Sequence, residues 1–210
     1  MHFHMKRRKR ITSVVLLTFL LLTFCTFPAC AETELLSGTH YVEIRVRDYG
    51  TIQAELYADI APISVTNFIQ LADSGFYDGL TFHRIISGFM IQGGDPNGNG
   101  TGGSGTNIRG EFAANGVANP LSHTRGVLSM ARARAYDSAS SQFFICHQDS
   151  PHLDGGYAAF GCVISGMEVV DSICAATPVT DGNGSVLPEN QPVIEQIRSI
   201  EPPASAEEQH

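Results

Sequence analysis

The chain has 210 residues, 43% of them hydrophobic, with 21 glycines, five cysteines and no tryptophan, enough for one domain and its extensions. Its formal charge is −8, but the charge is unevenly placed: residues 6–10 read KRRKR, and beyond residue 31 eight arginines and no lysine face 21 acidic residues. So acidic a surface disfavours nucleic acid and anionic membrane as partners and leaves each arginine conspicuous.

KRRKR is followed by ITSVVLLTFLLLTFCTF, an uncharged apolar run over residues 11–27, and then by PACA. A basic flank, an apolar stretch and small residues at its exit describe a secretory signal, which predicts export to the outside or the cell envelope. Ala29-Cys30-Ala31 fits the A-x-A cleavage pattern and would leave Glu32 first. Two other readings stay open: Cys30 carries a lipid, or the run is an uncleaved membrane anchor, for which 17 residues is short. Residues 32–39 read as a linker, 40–200 as the domain, and 201–210 as a polar, disordered tail.

Within the domain, HYVEIRVR (40–47) and TIQAELY (51–57) alternate apolar and polar residues around Tyr49-Gly50, as a hairpin does. Pro62 opens a helical pattern with Val65, Phe68, Ile69 and Ala72 on one face, ended by Gly75. TFHRII (81–86) and FMIQGG (89–94) read as strands split by Ser87-Gly88. A glycine-rich loop follows at 93–106, with a further irregular stretch around Asn119-Pro120 and His123. GVLSMA (126–131), SQFFIC (141–146) and YAAFGCVI (157–164) are strand-like. GMEVVDSICAA (166–176) is a helix with Val169, Val170 and Ile173 on one face, and PVIEQIRSI (192–200) is a last strand. Eight short strands and two helices, with no repeating strand–helix–strand rhythm, argue against a doubly wound parallel sheet and for an antiparallel barrel or sandwich.

The glycine loop lacks the G-K-[ST] ending of a phosphate cradle. Asp95, Asn97, Asn99 and Gly100 match the first half of a calcium loop, but Thr106 stands where the bidentate Glu belongs, so an ordered surface turn is expected. His83, His123, His147 and His152 are scattered without metal-ligand spacing. A hydrolase using His83 or His123 lacks a nameable nucleophile. Cys146 reads as a small buried hydrophobe, while a bridge between Cys162 and Cys174 is left open.

FHRIISGFMIQGGD (82–95) poses a sharper problem, because Arg84 interrupts an apolar strand and an unpartnered buried cation is costly. Strict alternation puts Arg84 on one side with Phe82 and Ile86. Met90 and Gln92 share a face of the next strand, as Gln142 and Phe144 do farther on. Together these would make an apolar patch with one cation and two amides; a solvated Arg beside an ordinary core fits the pattern as well.

FHRIISGFMIQGGD, then GTGG, GVLSMA, SQFFIC, LDG and FG-V, in this order over about residues 40–200, resemble the cyclophilin-type peptidyl-prolyl cis-trans isomerases, and their bacterial branch most. The resemblance implies a closed eight-stranded antiparallel β-barrel capped by two α-helices. It implies an isomerase of Xaa-Pro bonds acting on proline-containing unfolded polypeptides. No cofactor or metal is expected, and monomer is the default for a barrel of this size. Carried over, the catalytic residue is Arg84 with Gln92. The substrate-binding residues are Phe89, Met90, Phe144, Leu153, His152 and Tyr157, with Gln142 beside them and Ala131 offering backbone. Three positions depart from the eukaryotic pattern. His152 replaces a Trp important for tight cyclosporin binding. Tyr157 replaces a His, keeping an aromatic ring with a hydrogen-bonding tip. Arg132 replaces an Asn, whose side chain could accept where Arg cannot. A proline-binding module without turnover is the alternative on the same pocket.

Overall fold

The computed structural model describes residues 1, 2 and 34–203. The signal segment from residue 3 onward, Cys30 included, the start of the linker and the tail from residue 204 lie outside the described residues.

Eight strands form one antiparallel sheet: β1 (Thr39–Val46), β2 (Gly50–Tyr57), β3 (Phe82–Ile86), β4 (Met90–Gly93), β5 (Val127–Met130), β6 (Phe143–Cys146), β7 (Ala159–Ser165) and β8 (Ile194–Ile200). Their order across the sheet is β3-β4-β6-β5-β7-β2-β1-β8. Two α-helices, α1 (Pro62–Asp73) and α2 (Met167–Ala176), complete it. The alternation in the first two segments predicts their pairing correctly, from Thr39↔Tyr57 to Val46↔Gly50.

The sheet is curled but open, which corrects the expected closed barrel. The edge strands β3 and β8 do not pair as a ladder; what joins that seam is an isolated bridge, Thr81↔Val193, with Phe82 N–H donating to Pro192 O and Ile194 N–H to Leu80 O. The physical reason lies in the segment before β8. It includes a short 3-10 turn at Pro188–Asn190 rather than a strand, and Pro188 and Pro192 lack the N–H groups a ladder needs. A turn from the same segment covers β3 itself: Ile85 N–H donates to Gly184 O and Val186 N–H to His83 O.

The main core lies on the inner side of the sheet. Val65, Phe68, Ile69 and Ala72 of α1 pack there with Phe82, Phe143 and Phe160, and Phe68 meets the rings of Tyr77, Phe143 and Phe160 at 5.1–5.2 Å. α1 carries no capping side chain of its own. Glu111, 2% exposed, reaches its first turn instead and accepts the backbone N–H of Ile63 and Ser64 at 2.9 and 2.8 Å, which places a carboxylate at the positive end of the helix. α2 buries Val169, Val170 and Ile173, as its periodicity predicts.

A second apolar cluster sits apart from this core: Met90, Val127, Phe144, Cys146, Leu153 and Ala159, with Phe89 and Tyr157 packed against it. It is the face that carries the site. All three described cysteines are free thiols, Cys162 and Cys174 included, and burial pushes Cys146 up to about 12.

Candidate active site

Register builds the site. Arg84 of β3 stands directly across from Gln92 of β4, Gln92 from Phe144 of β6, and Phe144 from Ser129 of β5. One row across four strands therefore brings the cation, the amide and the aromatic ring together. The next row, Ile86, Met90 and Cys146, supplies apolar neighbours.

One expectation needs correction here. Phe82 does not share a side with Arg84: Phe82 pairs with Gly93 and Arg84 with Gln92, so His83 is an extra residue in β3. This bulge switches the alternation. Phe82 and Ile85 enter the main core while Arg84 turns to the outer face. His83 lies 5% exposed, and neither ring nitrogen has a hydrogen-bond partner within the protein.

Arg84 is half-buried, and each of its nitrogens is used. Nε donates to Asn183 O at 2.8 Å, Nη2 to Asn183 Oδ1 at 3.3 Å and Nη1 to Gln92 Oε1 at 3.3 Å. Its Cζ lies 5.9 Å from the centre of the Phe89 ring. Burial pulls its pKa below the ordinary value, opposed by Tyr157 and Asp181, and it stays charged because arginine titrates so high. The amide relay continues outward: Gln92 Nε2 donates to Gln142 Oε1 at 2.9 Å, and Gln142 Nε2 to Gly102 O at 2.8 Å.

These groups open onto a pocket of about 210 Å³ lined by Arg84, Phe89, Met90, Gln92, Ala131, Arg132, Phe144, Leu153 and Tyr157. Gln142 lines the adjoining cleft, which the pocket meets at Gln92, Ala131 and Arg132. His152 is not in the lining; it is exposed at the rim, its ring 5.3 Å from that of Phe89. Tyr157 stands edge-on to Phe144 at 6.0 Å.

Sequence reasoning missed two supporting residues. Asn183 belongs to the turn DGNG, which Asp181 shapes by accepting the N–H of Asn183 and of Ser185 at 2.9 and 3.0 Å. An Asp followed by Asn-Gly was a readable turn signal, but nothing local said that the turn would meet Arg84. His147 holds the turn before Phe89: Gly88 N–H donates to its Nδ1 at 2.8 Å, so its proton sits on Nε2, facing Asp171 at 3.1 Å.

The remaining histidines fall to other roles. His123 lies between Asp154, 2.9 Å from Nδ1, and Ser129, 3.0 Å from Nε2. The order is that of a hydrolytic triad, but Ser129 is 0% exposed within β5 and its hydroxyl meets no substrate. This cluster backs the pocket instead, the His123 ring lying 6.0 Å from Phe144 and nearly parallel to it. In the glycine loop, Asp95 is buried and spends its carboxylate on the N–H groups of Asn97 and Asn99 at 2.8 and 3.0 Å. Among the described residues no cluster of three His, Cys, Asp or Glu is placed to hold a metal.

Comparison with known proteins gives a consistent picture. The profile of the family described as cyclophilin type peptidyl-prolyl cis-trans isomerase/CLD matches residues 41–199. The chain is 46% identical over 144 residues to peptidyl-prolyl cis-trans isomerase B of Bacillus subtilis, covering 69% of this chain and 92% of that one. It is 48% identical over 144 residues to a peptidyl-prolyl cis-trans isomerase of Helicobacter pylori, covering 68% and 85%. A crystal structure of a cyclophilin type isomerase from Cryptosporidium parvum superposes with a TM-score of 0.69 at 33% identity, over 79% of this chain and all of that one. A structure of the same protein in the presence of the dipeptide Ala-Pro gives 0.68 at 34% identity, over 77% and 99%.

Proposed function

The chain belongs to the cyclophilin-type peptidyl-prolyl cis-trans isomerases and is an enzyme of that class; we propose that Arg84 is its catalytic residue, with Gln92 beside it, and that the enzyme serves proteins exported from the cytoplasm. The observation that carries the catalytic assignment is the row Arg84–Gln92–Phe144 opening onto the outer pocket.

An Xaa-Pro bond prefers trans by only about 0.5–1 kcal/mol, but rotation faces a barrier of about 18–20 kcal/mol and takes about 10–100 s unaided. No bond is broken, so neither nucleophile nor metal is called for. Twisting the amide removes its resonance and leaves a lone pair on the prolyl nitrogen. A donor fixed where that lone pair develops binds the twisted state more tightly than the planar one, which lowers the barrier. Arg84 suits the task because its planar fork is always charged and is already oriented by Asn183 and Gln92. Phe89, Met90, Phe144, Leu153 and Tyr157 hold the proline ring while the preceding carbonyl swings. The N–H of Ala131 is spent on Gln142 O, so its carbonyl is what it offers a peptide.

The export reading rests on residues 1–31: the basic KRRKR, the apolar 11–27 and Ala29-Cys30-Ala31. Clients are then Xaa-Pro bonds in chains that arrive unfolded. The mass of the native N-terminus distinguishes cleavage before Glu32 from a lipid on Cys30, and an intact Met1 in the mature protein would overturn both.

The catalytic assignment is tested by exchange measurements on a short Xaa-Pro peptide with the native protein and Arg84→Ala. The variant is expected to fold and to lose about 10²-fold or more of kcat/KM. A folded variant with undiminished turnover would move the chemistry away from Arg84.

A further inference from the structure

Arg132 follows Ala131 where the proline pocket meets the larger cleft of about 500 Å³, and it lines both. Its guanidinium is fixed in place. The Cζ atom lies 5.0 Å from the ring centre of Phe112, 5.2 Å from that of Tyr136 and 4.6 Å from that of Tyr157. Nε and Nη2 both donate to Gly156 O, at 2.9 and 2.7 Å, and Nη1 donates to Ala133 O at 3.0 Å.

Aromatic faces and carbonyls orient a cation without neutralising it. Among the described residues Arg132 forms no ion pair with a carboxylate. The linings of pocket and cleft together contain two cations, Arg84 and Arg132, and no acid. The rest of the chain has the opposite balance, with 21 acidic residues in all. Arg84 shares its charge with the Asp181 turn, whereas Arg132 borders a cleft whose other lining residues are glycine, alanine, serine, threonine, asparagine and glutamine, none of them charged. A pre-oriented cation has little side-chain freedom left to lose when an anion arrives, which removes the usual entropic offset of a surface ion pair.

Resting on the isomerase reading, we propose that Arg132 is a specificity-determining residue: it favours Xaa-Pro segments with an acidic side chain next to the proline and disfavours those with a basic one. Whatever the sequence of the client, Arg84 serves the bond that turns; Arg132 weighs its neighbour.

The test uses three peptides identical except for Glu, Gln or Lys before the proline, with isomerisation followed by NMR exchange. The native protein is expected to rank them Glu, Gln, Lys in kcat/KM, in steps of about two- to fivefold, the size of a partly exposed charge pair. Arg132→Gln should bring the Glu-to-Lys ratio close to one. Arg132→Lys keeps the charge but not the planar fork, so the ratio should persist even if turnover of all three falls. The Gln peptide reports the isomerase itself: turnover of none of the three overturns both readings. Turnover with no preference for Glu over Lys, or a preference that survives in Arg132→Gln, overturns the selectivity alone. Should Arg132→Gln fail to fold by circular dichroism, the native protein in low and high salt decides. A preference carried by charge shrinks as salt rises, and one indifferent to salt overturns the proposal.

Discussion

Arg84 is where side-chain chemistry is concentrated, and its neighbours divide the work of holding it. Gln92 comes from the adjacent strand and is itself braced by Gln142. Asn183 comes from a turn 99 residues farther along and offers both its backbone and its side-chain oxygen. The two oxygens make separable predictions. Asn183→Ala deletes Oδ1 and keeps the carbonyl, so Arg84 should stay charged and in place but less tightly aimed. A hydrogen bond to a half-exposed charged group is worth about 1 kcal/mol. We expect kcat to fall about fivefold, the rate equivalent of that loss, with KM and the melting temperature nearly unchanged. A fall in melting temperature with kcat intact would make Asn183 a structural residue only.

At the scale of elements, the bulge in β3 and the turn at 181–184 solve one problem between them. The extra residue His83 rotates Arg84 out of the core, and the turn then covers the strand edge that a closing ladder would have paired. Gly184 lets that cover fit. Its φ is +80°, and a Cβ there would meet Ile85 O at 2.3 Å and Ile86 Cγ1 at 2.6 Å. Gly184→Ala must therefore lift the turn from β3, at a cost of about 1–2 kcal/mol from the left-handed backbone alone. It carries Asn183 off Arg84 at the same time. We expect both a lower denaturant midpoint and a kcat below that of Asn183→Ala. Gly182→Ala is the control, because nothing lies within 4 Å of a Cβ there. Equal behaviour of the two alanine variants would mean that the turn does not position Arg84.

For the whole molecule, one sheet has two jobs: its inner face packs the main core with α1, and the outer face of β3, β4, β5 and β6 carries the site. Two imidazoles, His83 and His123, are buried, and burial lowers each below its usual value of 6.5. An unfolded chain takes up these protons near pH 6.5 while the folded chain resists, so stability falls as pH drops below that point. The carboxylates act in the same direction at lower pH. Asp78 is held down by Arg198, and Asp154 by the backbone N–H of His123; each contributes stability above its unfolded value of 3.8 that is lost on acidification. Urea midpoints should therefore decline steadily from pH 7 to pH 4. Replacing His83 with Phe should flatten the part between pH 7 and 5, and an unchanged slope there would show that His83 is not a source of it.

The sequence alone determined the element list, the first hairpin, the buried stripes of both helices and the family, because strand and helix periodicity are local and ordered motifs survive as text. It also marked Arg84, Phe89, Met90, Gln92, Phe144, Leu153 and Tyr157, all of which the pocket gathers. Only the tertiary structure decided the rest. Strict alternation put Arg84 beside Phe82, since a bulge leaves no trace in a period-two pattern until the partner strand is known. The eight strands gave no sign that the sheet would stay open, because closure depends on what the chain before β8 does at the edge of β3. Asn183 and the ring of aromatics around Arg132 were equally out of reach. Asn183 reaches Arg84, and Phe112 and Tyr157 reach Arg132, from far along the chain, and contacts of that kind are set by packing, which no local pattern encodes.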